Sequence, residues 1–458
     1  MAARRPARTR PQSVLSRRLT HPVPPETVIR RLDDGAAMVW SAPRGPGGTG
    51  FVGLVADARD VVTLDADDRV RDGRGTDQGG GLDGFAAMLR ARLATSTCDS
   101  PLLGWWGQLG YEAGARALGV PFAAPDGPTA AFALVDRGVL IDTTSGALTL
   151  VVDAAAADAT GWLASAATRL RGGAPGPDLS VPVVGPARRR LGRSDYLEAI
   201  DECLQAITRG DAYQLCLTRT IDVELPAGFD PLAVAGRLVR ASPAPHAGAL
   251  RFGDRWLLSA SPETYLAVDT AGWARTSPIK GTRPRHVDPV RDRALAVELA
   301  SDEKERAENV MIVDLCRNDL HEVSALGSVQ VSELWAVHSH PHVHQLVSTV
   351  ESQLVTDALD AALALFPAGS MTGAPKRSAM TLLAGLEQGP RGAYSGIWGR
   401  FSSDGSADLA VVIRSIEVRP GAASLGTGGG ITILSDPVRE WQETELKLAA
   451  GLAALGVR

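Results

Sequence analysis

Runs of apolar residues along the chain predict strands that alternate with amphipathic helices. Short apolar runs at 51–55, 146–153, 213–219 and 256–262 are bounded by Gly, Pro or polar residues, which is typical of strands. A segment rich in Gly and Trp at 104–111 fits a place where two backbones approach closely. The sequence therefore predicts strands in both halves of the chain.

Four segments have the features of α-helices. Residues 154–171 are Ala-rich, and a second helix is predicted from Ser194, a residue type that caps helices, to Gly210. Two more are predicted at 301–317 and 436–455, the latter with a proline at its first helical position. The chain shows no internal repeat, heptad array or long βαβ alternation. We therefore expect an α+β fold with large antiparallel sheets forming a sandwich and with peripheral helices.

Composition divides the chain unevenly. The first residues are rich in Arg and lack acids, and no apolar run follows them, which favours a disordered basic tail over 1–20, with an organelle transit peptide as the alternative. Gly and Pro are concentrated at the start of 173–190, the best candidate for a linker. It separates an N-terminal region, 21–172, from a C-terminal region, 191–458, that carries nearly all the candidate chemistry.

Charge and cysteine content exclude several functional classes. The 458 residues carry 47 Lys and Arg against 52 Asp and Glu, a net charge of −5, so we expect neither nucleic acid nor a membrane surface as a partner. The four cysteines are scattered without metal-site spacing, which indicates reduced thiols in a cytoplasmic protein. No apolar run approaches the roughly 18 residues of a membrane-spanning helix.

Two pairs of glutamates suggest a metal site. Glu305 and Glu308 lie three residues apart in one predicted helix, and Glu440 and Glu443 repeat that spacing in another. Residues three apart lie on one helix face, so bringing the two faces together would collect four carboxylates. A hard cation resolves the repulsion, and Mg²⁺ fits, because it binds one or two carboxylates and keeps its other positions for water and an anionic substrate. An ordinary solvated helix surface is the alternative for either pair.

A single lysine lies in a segment of unusual composition. Lys280 follows Ile279 and precedes Gly281 in the sequence PIKGT. Near a cation and away from bulk water, a lysine has a lowered pKa, and the neutral amine is a nucleophile. We therefore consider Lys280 a candidate covalent catalyst, with a solvated surface lysine as the alternative.

Three further features indicate an anionic, oxygen-rich ligand. The glycines of 426–430 allow backbone N–H groups to approach a carboxylate, although a tight turn from strand to helix explains them equally well. The small-residue loop 366–376 ends at Lys376 and opens a helix whose N-terminus can hold an anion. Arg414 stands alone in an apolar strand, so it needs either a structural acid or a ligand carboxylate as partner.

These segments together resemble the chorismate-utilising enzyme family, which includes anthranilate synthase component I, aminodeoxychorismate synthase component I, isochorismate synthase and salicylate synthase. The resemblance is dense over 190–458 and loose before it. Its motifs are SASPE (259–263), PIKGTRPR (278–285), DEKERAENVMIVDLCRNDL (302–320), FPAGSMTGAPK (366–376), YSG (394–396), IRS (413–415) and GTGGGI with DPVREWQETELK (426–447).

The resemblance implies two large antiparallel sheets with chorismate and Mg²⁺ between them. It implies that Glu263 is the general acid that protonates the departing C4 hydroxyl, and that Lys280 is catalytic. The metal carboxylates that it implies are Glu305, Glu308, Glu440 and Glu443. The substrate-binding residues are Gln214, Thr282, Ser370, Tyr394, Arg414, Gly428, Gly430 and Lys447.

Three positions distinguish the reactions of this family. Members that use water have a basic lysine where this chain has Gln214, so ammonia is expected as the nucleophile. Anthranilate synthases have alanine at the position of Lys280, whereas aminodeoxychorismate synthases have lysine. Anthranilate and salicylate synthases have a histidine, linked to pyruvate loss, where this chain has Gln345, although His344 precedes it and a shift of one residue could restore that role.

The resemblance therefore implies amination of chorismate at C4, for p-aminobenzoate, folate or a related metabolite. The alternatives are amination at C2 with loss of pyruvate, as in anthranilate synthase component I, and a non-catalytic scaffold. The chain has no signature of a class I glutaminase, so a separate glutamine amidotransferase subunit is expected to supply ammonia. Inhibition by tryptophan has no clear motif in the N-terminal region.

Overall fold

Two large β-sheets lie face to face in this protein, and helices cover their outer faces. The computed structural model describes residues 13–33, 35–44, 47–55, 57–95, 98–172, 184–340 and 343–457. Its α-helices are α1 Pro25–Leu32, α2 Gly81–Thr95, α3 Tyr111–Ala117, α4 Ala159–Arg169, α5 Arg193–Arg209, α6 Pro231–Ala241, α7 Pro289–Ser301, α8 Glu303–Val323, α9 Ala358–Leu365, α10 Lys376–Leu386 and α11 Pro437–Leu455.

The strands before residue 190 are β1 Val14–Leu19, β2 Ala37–Ser41, β3 Thr49–Val55, β4 Val61–Leu64, β5 Arg69–Asp72, β6 Asp77–Gly80, β7 Gly104–Leu109, β8 Ala130–Val135, β9 Arg137–Asp142, β10 Leu148–Asp153 and β11 Ala187–Arg189. Those after it are β12 Gln214–Glu224, β13 His246–Phe252, β14 Arg255–Ser261, β15 Thr264–Val268, β16 Trp273–Ser277, β17 Ile279–Pro284, β18 Gln330–Ser339, β19 Val343–Gln353, β20 Gly373–Ala374, β21 Ile397–Ser402, β22 Ala407–Val411, β23 Ser415–Arg419 and β24 Ala422–Ile431.

Both sheets are antiparallel and each combines strands from the two halves of the chain. The first has the order β1-β10-β9-β3-β2-β13-β14-β23-β24-β12-β11, with β20 also paired to β12. The second has the order β17-β19-β16-β15-β22-β21-β7-β8-β4-β5-β6, with β18 also paired to β19. The boundary predicted at 173–190 therefore divides the sequence but not the sheets.

The inner faces of the two sheets share one apolar core. Phe51 of β3 stacks on Trp106 of β7, with ring centroids 5.7 Å apart. Helices α1, α4, α6 and α11 pack on the outer face of the first sheet, whereas α2, α8 and α9 cover the second. Helices α5 and α10 pack together at the β12 end of the first sheet. The predicted α+β sandwich with peripheral helices is confirmed.

Most predicted elements are present with shifted ends. The helix predicted from residue 154 begins only at Ala159, because Asp153 forms a turn by accepting from the Ala155 N–H. Helix α5 ends at Gly210 as predicted, but Gly192, not Ser194, is its N-cap. Helix α11 is capped by Asp436, as its sequence predicts.

The predicted disordered tail is wrong for its last part. Residues 1–12 lie outside the described residues, but Val14–Leu19 forms a strand along β10. The linker prediction also needs correction, because Ala187–Arg189 pairs with β12, while 173–183 lie outside the described residues. In the part of the chain that the structure describes, no helix is long and apolar enough to cross a membrane.

Candidate active site

The candidate site lies where the chain crosses twice between the sheets. Pro262 and Glu263 connect β14 of the first sheet to β15 of the second, and residues 412–414 connect β22 back to β23. The two crossings run side by side, since the Val411 N–H donates to the Glu263 carbonyl at 3.1 Å. Arg414 therefore lies in a crossing, with a left-handed φ of 52°, and the prediction that it lies in a strand is wrong.

Glu263 has the environment of a general acid. Its side chain is 6% exposed, and burial raises the pKa of its carboxyl, although the Ser370 hydroxyl and nearby lysines oppose that shift. Ser370 Oγ donates to Glu263 Oε1 at 2.7 Å, which fixes the direction of the carboxyl. A raised pKa lets a carboxyl hold its proton to higher pH than usual, which suits a group that gives a proton to a leaving group.

The glycine-rich segment 426–430 forms the floor of the site. The segment lies inside β24 and pairs with β12, so the alternative of a tight turn from strand to helix is wrong. A Cβ added at Gly430 would overlap the Gln214 amide nitrogen and come 3.4 Å from Lys280 Nζ. The missing side chain thus gives Gln214 and Lys280 room to face the same space. Gly428 contributes its carbonyl, which accepts from Lys447 Nζ at 2.8 Å.

Lys280 and Gln214 face this space without protein partners. Gln214 is fully buried, and neither its Oε1 nor its Nε2 has a hydrogen-bond partner. Lys280 Nζ forms no ion pair or hydrogen bond with any described residue. Buried polar groups are nearly always bonded in native proteins, so the unbonded amide of Gln214, with the partly buried Lys280 beside it, indicates a place for a bound molecule.

The charge on Lys280 differs from the sequence prediction. Burial by itself lowers the pKa of this lysine, but the negative charges around it, including those of Glu308, Glu263 and Glu443, outweigh that effect and raise the pKa above its usual value. The prediction of a lowered pKa assumed a cation nearby. With the protein groups alone, the amine is held in its charged form.

Tyr394 forms a wall at the Gly426 end of the floor, and Arg414 lies near it. The Tyr394 ring covers Gly426 so closely that an added Cβ there would overlap the ring. Burial lowers the pKa of Arg414, while Tyr394 and Glu443 oppose that shift. The guanidinium has no ion pair or hydrogen bond with any residue that the structure describes. Of the two partners predicted for Arg414, a structural acid is therefore ruled out among these residues.

The four predicted metal carboxylates lie on two helices that approach each other. Glu305 and Glu308 are on α8, while Glu440 and Glu443 are on α11. Burial and the neighbouring carboxylates raise the pKa of Glu305 and of Glu308. In contrast, the pKa of Glu443 is lowered: burial raises it, but Lys447, 2.7 Å away, together with Lys304 and Lys280 outweighs that effect.

Lys304, which the sequence analysis did not assign a role, bridges the two helices. Its Nζ lies 3.0 Å from Glu440 Oε1 and 3.6 Å from Glu308 Oε1. The described residues contain no group of three or more His, Cys, Asp or Glu that could hold a metal. Mg²⁺ does not need such a group, because it binds one or two protein carboxylates with water and substrate oxygens. The carboxylate oxygens present here fit such a cation.

Three predicted positions lie away from these contacts. Thr282 is exposed and stands opposite Gln345 in the pairing of β17 with β19. His344 has its Nε2 3.0 Å from Asp292 Oδ1 and its Nδ1 2.8 Å from Ser339 Oγ, so both ring nitrogens are engaged. Lys376 is also engaged, with Asp319 and the Leu365 carbonyl, so it is not free to bind an anion.

This chain is similar to a known family and to individual members of it. A model of the family described as chorismate binding enzyme matches residues 36–453. Aminodeoxychorismate synthase of Streptomyces griseus is 43% identical over 80% of this chain and 52% of its own length, and that of Streptomyces pristinaespiralis is 41% identical over 92% and 62%. This chain thus spans about half to three fifths of those two relatives.

Anthranilate synthases are also similar to this chain. Anthranilate synthase component 1 1 of Halobacterium salinarum is 37% identical over 88% of this chain and 82% of its own. The crystal structure of anthranilate synthase component I from Streptococcus pneumoniae superimposes with a TM-score of 0.78 at 26% identity, covering 90% of this chain and 93% of the other.

Proposed function

We propose that this chain, which belongs to the chorismate binding enzyme family, converts chorismate and ammonia to 4-amino-4-deoxychorismate. The position of Lys280 carries this proposal. Among the residues that the structure describes, its amine has no hydrogen-bond or ion-pair partner, and it faces Gly430 beside the unbonded amide of Gln214. The two aminodeoxychorismate synthases at 43% and 41% identity support the same assignment.

In the proposed reaction the lysine holds a temporary bond to the ring. The neutral amine of Lys280 adds at C2, both ring double bonds shift, and the C4 hydroxyl leaves as water with the proton of Glu263. Ammonia then adds at C4, the double bonds shift back, and the bond from C2 to the lysine nitrogen breaks. Ammonia loses one proton, which restores the acid. The amine remains para to the ring carbon that bears the carboxylate.

The charge of Lys280 must be removed before it can act as a nucleophile. Carboxylates hold its pKa above the usual value. Their negative charge must therefore be screened before the amine can lose its proton. Mg²⁺ bound by Glu305, Glu308, Glu440 or Glu443 would supply that screening charge and a ligand for a substrate carboxylate. Arg414, with its unpaired guanidinium, would take another substrate carboxylate.

Ammonia is favoured over water as nucleophile by Gln214, because an amide cannot deprotonate water. Amination at C2, as in anthranilate synthase component I, is the second candidate, and the relative at 37% identity favours it. Against that, both ring nitrogens of His344 are engaged by Asp292 and Ser339, and Gln345 cannot act as a base. We therefore propose that the enzyme stops at the amino product without releasing pyruvate.

The ammonia is proposed to come from glutamine through a separate amidotransferase subunit, and the product to serve p-aminobenzoate or folate synthesis. Product analysis tests the reaction itself. The purified protein is incubated with chorismate, ammonium and Mg²⁺ at mildly alkaline pH, and products are identified by mass. Aminodeoxychorismate that yields p-aminobenzoate only after a lyase is added supports the proposal. Fluorescent anthranilate would replace it with the second candidate.

A further inference from the structure

Arg391, in the turn between α10 and β21, is buried and has no part in the reaction proposed above. Its guanidinium donates five hydrogen bonds: to both Glu387 carboxylate oxygens at 2.8 and 2.7 Å, to the carbonyls of Met371 at 2.7 Å and Cys216 at 3.0 Å, and to Ser395 Oγ at 3.1 Å. A guanidinium has five N–H donors in a rigid plane. Every donor of this side chain is therefore used.

The acceptors are the neighbours of site residues. Met371 follows Ser370, whose hydroxyl holds Glu263 Oε1 at 2.7 Å. Ser395 follows Tyr394, and its own backbone is fixed at a left-handed φ of 68°. Cys216 lies two residues after Gln214 on β12. One planar group thus contacts the three segments that carry the acid's hydrogen-bond donor, an aromatic wall and the buried amide.

We propose that Arg391 is a positioning residue, which sets the segment that orients Glu263 at a fixed distance from the segment that carries Tyr394. It touches neither substrate nor reacting atoms. The inference rests on the proposed function only in taking chorismate as the ligand, and it holds for amination at C2 or at C4.

A purely structural ion pair is the competing explanation. Glu387 also accepts from the Thr218 N–H at 2.9 Å and from Thr218 Oγ1 at 2.8 Å, so it ties α10 to β12. An ion pair alone would explain the two bonds from Arg391 to Glu387. It does not explain why the other three donors reach Met371, Cys216 and Ser395, and the two explanations differ in what they predict for catalysis.

Two substitutions separate these explanations. Arg391→Lys keeps the charge beside Glu387 but cannot reproduce the planar fork. We expect its kcat to fall about 100-fold, as for a misplaced catalytic group. Its Kd for chorismate should rise about fivefold, which corresponds to the free energy of one hydrogen bond. Ser395→Ala removes only the bond on the Tyr394 side, so we expect about the same rise in Kd with kcat within about twofold of the wild-type value.

The double variant measures whether the two residues act together. If Arg391 positions Tyr394 through Ser395, adding Ser395→Ala to Arg391→Lys leaves Kd unchanged, whereas independent residues give multiplied effects. Kd is measured by calorimetry, and kcat on whichever product the wild-type enzyme forms, so a wrong product assignment in the proposed function leaves this test intact.

Arg251→Lys is the matched control. Arg251 is also buried and bonds to Asp33 and to the carbonyls of Gly35 and Gly253, away from the site. We expect it to lower the melting temperature without changing kcat or Kd. The proposal is overturned if Arg391→Lys behaves like this control, or if Ser395→Ala, which leaves the ion pair intact, binds chorismate as tightly as the wild type.

Discussion

The two sides of the candidate site differ in how fully their polar groups are bonded. On the acid side, formed by Glu263, Ser370 and Arg391, the carboxyl has a fixed donor and the guanidinium uses every N–H. On the ligand side, formed by Gln214, Lys280 and Arg414, the side chains have no hydrogen bond or ion pair with the residues that the structure describes.

The polar groups of the acid side are therefore held in place before substrate binds, whereas those of the ligand side gain partners only when substrate binds. Preorganised groups need no rearrangement during the reaction, which is an efficient way to stabilise a transition state. Unbonded buried groups instead cost free energy until a ligand satisfies them. The acid side should therefore be sensitive in kcat, and Gln214 and Arg414 of the ligand side in substrate binding and in the stability of the ligand-free protein. Lys280 lies on the ligand side but also reacts with the ring in the proposed mechanism, so its replacement should act mainly on kcat.

The largest effect is expected on the acid side. Glu263→Gln keeps the shape and the bond from Ser370 but removes the transferable proton, so we expect kcat to fall by about 10³-fold. The Kd for chorismate should stay within about twofold of the wild-type value, because the substituted side chain remains able to accept from Ser370. A large rise in Kd with unchanged kcat would place Glu263 on the ligand side instead.

The next effect concerns Arg414. Arg414→Gln removes the unpaired guanidinium, and we expect the Kd for chorismate to rise about 10- to 100-fold, the value of hydrogen bonds to a charged group. The ligand-free variant should nevertheless unfold at a higher temperature, because a partly buried charge with no partner among the described residues has been removed. Thermal unfolding with and without chorismate checks both expectations. A lower melting temperature without ligand would show that Arg414 has a structural partner.

Gly426 tests the wall formed by Tyr394. An added Cβ there would overlap the Tyr394 ring, so Gly426→Ala should destabilise the protein by about 1–3 kcal/mol and weaken chorismate binding. Gly385→Ala in α10 is the control, because no atom lies within 4 Å of its added Cβ, and it should stabilise by up to about 1 kcal/mol. Equal urea midpoints for the two variants would contradict this arrangement.

The smallest effect is expected at Lys304, which lies between Glu440 and Glu308. Lys304→Met removes a positive charge from the proposed Mg²⁺ site, so we expect Mg²⁺ to bind about tenfold more tightly. The metal-free variant should melt at a lower temperature and recover when Mg²⁺ is added. Arg317→Met, which breaks an exposed pair with Asp314 on the same helix, is the control. Equal Mg²⁺ affinities in titration calorimetry would contradict the proposed site.

Local sequence patterns predicted much of the fold. The strand β3 and the start of α11 follow from short-range physics, namely an apolar run and a Pro at the first helical position. The N-terminal strand Val14–Leu19 was missed because its sequence, VLSRRL, is rich in Arg. It is held by pairing with β10, a partner more than a hundred residues away, which no local pattern reveals.

Local sequence likewise predicted only part of the candidate site. Motif positions predicted Glu263 and Ser370, which the structure brings into contact. The contacts of Arg391 could not be predicted from local sequence, because Glu387 and Ser395 lie only four residues away but Met371 and Cys216 lie 20 and 175 residues away in the chain. The left-handed backbone of Arg414 was likewise hidden, because the sequence around it is as apolar as a strand.

In the proposed reaction Lys280 decides where chorismate is aminated, and the products of the wild type and of Lys280→Ala are compared to test this role. Wild type and Lys280→Ala are incubated with chorismate, ammonium and Mg²⁺, chorismate affinity is measured in parallel, and products are separated and identified by mass. We expect aminodeoxychorismate from the wild type and none from Lys280→Ala, although the variant still binds chorismate. Aminodeoxychorismate formed by the variant at the wild-type rate would show that Lys280 is not required for amination at C4.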